Sequence, residues 1–441
     1  MKINKLFNLV CVSGALILAS CSSDDDNEQG GPVDSVLNIP TLEQVITDND
    51  FTRADNGDYN NDFINNYSTL FTREGNSTVS FSGQTTRLKQ AVEIGGNLKS
   101  QVDVAAIRLK FEGQDGESAG FTDTSLNGTT KIVRSKTSSS IALFAGSNGS
   151  GQGQTNVNAI DAYITGHQNV LENWMTAAAS GQAGVFEDTG DDVDRYVDAK
   201  GRELDQLFTK SLAGALAYDQ AVNHYLNRLD NENGDTSNGD YRALNDAGTV
   251  AEGKNYTTME HHWDEAFGYI YGNTSSQNLI YKYIDNVDGL SKFSGTEREI
   301  FAAFVAGRIA IAEKDYTVRD TQVGILREKL GLIIAVRAVH YLSAGAKIIE
   351  AAEAASGATG KRENAFHDLC EGYGFVNSLR YVVNANGDRY FTDADVDGFL
   401  TTLDSGSGLW DVTTTELRDM ADAIAAEGVG GLSWTLDDVN P

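Results

Sequence analysis

The sequence of 441 residues carries 63 acidic and 34 basic side chains, a net charge of −29 with histidine neutral. That balance argues against nucleic acid as a partner and against binding anionic lipid through protein charge. Three cysteines, at 11, 21 and 370, rule out a disulfide framework and a cysteine-based metal site in the folded part.

Lys2 and Lys5 precede a short apolar run, Leu6 to Leu18, which predicts an export signal over residues 1–20. Leu18-Ala19-Ser20-Cys21 reads as a lipobox, so Cys21 is the expected lipidation residue and membrane lipid an expected partner. Cleavage before Cys21 leaves 421 residues and removes two lysines, taking the charge from −29 to −31. Ser22-Ser23-Asp24-Asp25-Asp26-Asn27-Glu28 opens an acidic, disordered tether over 21–50. Residues 51–441 read as one all-helical domain or as two bundles. The only prolines are Pro32, Pro40 and Pro441, so nothing forbids long helices between the last two.

Asp55-Asn56-Gly57-Asp58 is a turn signal, and its spacing to Asp62 fits no calcium loop. Ser77–Ser82 reads as a short extended piece. Leu88–Phe111 reads as the first long helix, with a kink at Gly95-Gly96. Residues 113–154 form a long Gly-, Ser- and Thr-rich loop region; its glycine run from Gly146 to Gly153 has no strand before it and no lysine after it, so it is no phosphate loop. Val157–Ala179 is helical, with His167 and Trp174 as packing residues. Val197–Leu229 is a strong helix. Leu204, Phe208 and Leu212 lie on its apolar face, Glu203 and Lys210 lie on the neighbouring stripe, and Ala213, Gly214 and Ala217 allow another helix to approach. The Asn/Gly loop over 230–240 departs from a calcium loop at Gly234.

Thr257 to Tyr271 holds two adjacent histidines among three acids and four aromatics. Thr257 or Thr258 caps a helix there. Met259, His262, Trp263, Ala266 and Ile270 form the core stripe, and His262, Glu265 and Tyr269 an overlapping one. Glu260, Asp264 and Gly268 point elsewhere. His262 and Glu265, one turn apart and flanked by His261, then have two readings. They ligate a divalent metal or contact a ligand between helices, or the acid orients the histidine and both satisfy buried polar groups. Glu203 and Arg337 are expected as neighbours in a polar cleft.

Helices follow over Leu279–Val287, Thr296–Glu313 and Gln322–Ala355. Arg337 lies in an apolar stripe of the last with Leu330, Ile333 and Tyr341, as a paired core arginine or a groove-lining anion contact. Cys370, in a helix over Glu363–Val382, is a buried structural thiol. Thr414–Glu427 ends an all-α chain of eight to ten helices. No serine nucleophile elbow, Cys–His catalytic pairing or zincin motif occurs.

Glu260-His261-His262-Trp263-Asp264-Glu265-Ala266-Phe267-Gly268-Tyr269 resembles the signature of an uncharacterised Bacteroidota lipoprotein family, classed as a domain of unknown function. Residues 80–88 and 210–220 look like segments of the same family. The family is similar to the imelysins, helical envelope proteins with a Gly-x-His-x-x-Glu motif. His262-x-x-Glu265 matches the second half of that motif, and Glu260 stands at its glycine position. The acidic run behind Cys21 looks like the surface-export signal of Bacteroidota lipoproteins. The resemblance implies an imelysin-like helical bundle, lipid-anchored outside the outer membrane. Three functions follow as expectations. The first is a non-enzymatic accessory in uptake of a nutrient, iron or another metal included, beside an outer-membrane transporter. The second is a metal-dependent hydrolase using His262 and Glu265. The third is a glycan-binding lipoprotein with exposed aromatic platforms.

Overall fold

No proline interrupts the chain after Asp315, and the longest helix, Tyr316–Ala354, runs there for 39 residues. The Asp315 side chain caps it by accepting from Val318 N. This computed structural model describes residues 29–32, 37–48, 62–144, 151–232, 235–272, 279–355 and 361–439. Within them the chain is all-α: seventeen α-helices carry the fold, and the strands form only two- and three-stranded pieces. The Tyr316–Ala354 helix is the one helix among the described residues long and apolar enough to cross a membrane. It is also the central core helix. Thr296–Glu313, Phe366–Ser378 and Thr414–Ala426 pack on it, around Leu326, Leu330, Ile333, Val336 and Leu342, all without exposed surface.

Several elements differ from the sequence reading for local reasons. The helix expected over Leu88–Phe111 is two, Ser82–Leu98 and Val104–Glu112. The break is made by Asp103, whose side chain accepts from Ala105 N and starts the second helix. Gly95-Gly96 lies inside the first helix. The strong helix begins later than expected, at Leu204, because Gly201 turns the chain at φ +79°. Before it, Gly184–Asp188 and Val193–Val197 form an antiparallel hairpin with Gly184 opposite Val197. After Leu212 the coil widens into a π-helix, Ala213–Tyr225. Its backbone finds partners outside: Ala215 O accepts from Ser138 N at 2.7 Å, and Gly214 N donates to Ser378 Oγ at 3.0 Å. The small residues do permit close approach, since a Cβ on Gly214 would stand 2.5 Å from that of Ser378. The next segments also differ at their ends. Gly151–Glu172 takes the place of Val157–Ala179, and Phe366–Ser378 is flanked by two short 3-10 turns. Asp393–Leu403 is a further helix, started by a capping box between Thr392 and Asp395.

Candidate functional site

The Thr258–Tyr271 helix opens with a capping box between Thr257 and Glu260, and every one of its residues is buried. Its acids, read as pointing away from the core, in fact grip it. Glu260 accepts from Arg308 Nη1 at 3.1 Å and from Arg73 at 3.3 Å. Asp264 accepts from Arg308 Nε at 3.1 Å and from Tyr67 Oη at 2.9 Å. Burial raises the Glu260 carboxyl, but Arg308 and Arg73 outweigh it and hold the group below its usual range. For Asp264 burial dominates and pushes the group up to about 7. The aromatics lock the same helix. Phe267 stacks on Tyr67 at 3.8 Å, and Trp263 Nε1 donates to Phe304 O at 2.9 Å.

His262 and Glu265 do not meet. His262 Nδ1 donates to Arg228 O at 3.1 Å, and the ring packs against Tyr225 and Tyr241. The partner of Glu265 is His261, with Nε2 3.7 Å from Oε1, and Gln84 Nε2 donates to the same oxygen at 2.7 Å. The reason is geometric: residues four apart are offset by about 40° around a helix, those three apart by about 60°. His261 also stacks on Tyr256, ring centroids 4.5 Å apart. Among the described residues no three His, Cys, Asp or Glu side chains are grouped to hold a metal ion.

Arg337 and Glu203 are not at this helix either. Arg337 is buried between the rings of Tyr341 and Tyr283, at 4.3 and 5.5 Å. Glu203 belongs to a separate cleft of about 640 Å³. The floor of that cleft is Leu204–Leu212. Its walls are the end of Ser82–Leu98, the 184–197 hairpin, Tyr281–Asp288 and Phe366–Ser378. The floor and the last wall approach closely because Gly374 has no side chain; a Cβ there would stand 2.4 Å from that of Lys210.

Charged groups of both signs converge in this cleft. His367 Nδ1 donates to Glu203 Oε1 at 3.0 Å, and Arg195 Nη1 lies 3.0 Å from the same nitrogen and 3.8 Å from Glu203 Oε2. His367 Nε2 lies 3.9 Å from Glu371, and Lys210 Nζ lies 2.9 Å from Glu371 Oε1. Burial works against the His367 charge, yet the Glu203 hydrogen bond raises its affinity for the proton. Burial likewise opposes ionisation of Glu371, but Lys210 and the Tyr341 hydroxyl bring it down to about 2. Asp205 is buried, and Lys210, Lys99 and His367 offset that only in part. Burial and neighbouring Glu203 raise it to about 6. Across the cleft, burial of its stem and the nearby Lys210 lower Lys282 to about 8. Cys370, beside Glu203, accepts from its backbone N–H at 3.1 Å, and burial pushes the thiol well up. It is the structural thiol expected.

Of the cleft residues the sequence reading singled out Glu203 alone. The spacing of His367 and Glu371, one turn apart on a helix, was a usable signal. Lys99, Arg195 and Lys282 carried none, because each stands alone in its own segment, and Asp205 reads as an ordinary acid in the first turn of a helix. Cys21 and the acidic run behind it lie outside the described residues.

Residues 65–428 match the family described as a domain of unknown function (DUF4856). No curated protein and no solved structure matches the chain.

Proposed function

The chain belongs to the DUF4856 domain family, and from that premise we propose that it is a non-catalytic binding protein for a small ionic ligand, held in the cleft around Glu203 and Asp205. The observation that carries this reading is Asp205: a carboxyl 6% exposed, lining a cleft of about 640 Å³, with no basic side chain in ion-pair contact among the described residues. A buried carboxyl left without a counter-charge is costly in a folded chain and is retained where a ligand supplies the charge. The volume is in the range of small-molecule sites, about 300–1,000 Å³.

Two further observations favour binding over catalysis. His367 is engaged on both sides, at Nδ1 by Glu203 and beside Nε2 by Glu371, so neither ring nitrogen stands open to act as a base. Cys370 is buried and held as a thiol, so it is no nucleophile. The hydrolase reading has no support from its residues, because His262 and Glu265 engage different partners. The glycan reading asks for exposed aromatic platforms. Trp263 and Trp434 are buried, and Trp174 and Trp410 are half-buried.

The lipobox at Cys21 and the acidic residues behind it complete the proposal: the domain is lipid-anchored on the outside of the outer membrane and serves nutrient uptake beside a transporter. Native mass spectrometry of the lipidated protein, released gently from membranes, tests the binding role. A one-to-one adduct that Asp205→Ala removes is expected. Absence of any adduct, with no thermal shift from any charged solute, counts against it. Protease treatment of whole cells tests the location: cleavage is expected, and its loss on changing Asp24, Asp25 and Asp26 to Ala.

A further inference from the structure

We infer that the ligand of this cleft is a short peptide with both termini free, its ammonium held at Asp205 and its carboxylate at Lys282. The inference rests on the reading of the cleft as the ligand site and adds the chemistry of what fills it.

The argument is a pairing of charges. Lys210 is committed to Glu371 at 2.9 Å. Arg195 is committed to Asp188 at 3.1 Å and also to Asp191. His367 is committed to Glu203. Once these pairs are made, one buried acid, Asp205, remains, with two rim amines and the exposed Asp194 on the hairpin wall. Asp205 accepts only from the neighbouring Gln206 Nε2, at 2.8 Å. Lys282 rests its ammonium on the Tyr283 ring, 4.7 Å from the centroid, and has no carboxylate partner among the described residues. Lys99, also in the cleft lining, has none either. A single anion would satisfy the lysines and leave Asp205 bare; a single cation would do the reverse. A molecule with one charge of each sign satisfies both. An amine suits the acid end better than a metal ion, because among the described residues no three His, Cys, Asp or Glu side chains are grouped to hold one. The cleft is also larger than one free amino acid needs, and Val92, Val193 and Tyr196 give its lining an apolar part for the chain between the termini.

The site has a built-in pH window. The groups facing Asp205 are Glu203 and Lys210 on its own helix, Lys99 on the Ser82–Leu98 helix and His367 on the Phe366–Ser378 helix. Those facing Lys282 are Lys210, Lys99, Glu371 and Arg337. Asp205 must be ionised and Lys282 protonated, so affinity should be highest between about 6 and about 8.

Calorimetry on the full-length protein with three probes tests this: trialanine, N-acetyl-trialanine and trialanine amide. At pH 7 trialanine is expected to bind at least ten times more tightly than either blocked form. Asp205→Asn, which keeps the shape, should abolish the preference for the free ammonium only. Lys282→Ala should abolish the preference for the free carboxylate only. Equal binding of all three peptides overturns the inference. So does binding of succinate but not trialanine, which would leave an ionic ligand site of another class. If no charged solute binds at all, the reading of the cleft as a ligand site falls with it.

Discussion

The indole of Trp263 occupies the space that a side chain on Gly307 would need: a Cβ there would stand 2.0 Å from the ring. The two helices Thr258–Tyr271 and Thr296–Glu313 approach that closely because this position is glycine. Gly307→Ala is therefore expected to destabilise by about 1–3 kcal/mol through overpacking, despite the better helix propensity of alanine. Urea unfolding reads the loss. In a Trp263→Phe background the same change should cost much less; an equal cost in both backgrounds would show that the indole is not the obstacle.

Arg308 has no exposed surface and holds both Glu260 and Asp264. Arg308→Met leaves buried Asp264 without its cation and Glu260 with Arg73 alone, which should cost about 3–5 kcal/mol at neutral pH. As pH falls, the uncompensated carboxyls of the variant take up protons and lose the charge that makes their burial costly, so the deficit against the parent protein should shrink. Thermal melts of both proteins at pH 4 and pH 7.5 give the comparison, and a deficit that is flat with pH would refute the assignment.

Asp205 sets stability against function. An acid whose folded value is raised from 3.8 to about 6 binds a proton more tightly in the native state. Stability from this group is therefore present below pH 4 and lost as pH rises through 6. Asp205→Asn removes that dependence. The variant should be more stable than the parent above pH 6, by roughly 2–3 kcal/mol, while binding the peptide probe less well. A variant less stable than the parent at pH 7.5 would contradict the cause assigned to the shift.

Glu371 behaves in the opposite sense. Burial opposes its charge, but Lys210 and Tyr341 lower it from 4.5 to about 2. Its contribution is present above pH 4.5 and is lost as pH falls toward 2. Lys210→Met should move the acid-unfolding midpoint to higher pH and cost on the order of 3 kcal/mol at pH 7. Circular dichroism across an acid titration measures both.

His262 is enclosed by Tyr225, Tyr241 and the Arg228 carbonyl. His262→Ala should cost about 1–3 kcal/mol and leave peptide affinity in the Glu203 cleft unchanged. A stable His262→Ala protein that no longer binds the peptide would move the ligand site to the Thr258–Tyr271 helix.

The amino-acid sequence alone determined the helical class, because apolar residues recur at helical spacing and no proline stands between residues 40 and 441. It placed the start of the Thr258–Tyr271 helix to within one residue, at Thr257 or Thr258, and the capping box between Thr257 and Glu260 decides for the first. What it could not order was the choice between near neighbours on one helix. His261 rather than His262 reaches Glu265, since the offset around the axis and the packing of Tyr241 and Arg228 decide which ring turns which way. Nor did it show that Glu260 and Asp264 face inward, because their cations, Arg73 and Arg308, stand far away in the chain. The cleft is the extreme case. Lys99, Arg195, Asp205, Lys282 and His367 come from five separate elements. Helical periodicity records which face of each element is apolar, and only the packing of those faces fixes which charges end up opposite one another and which are left without a partner.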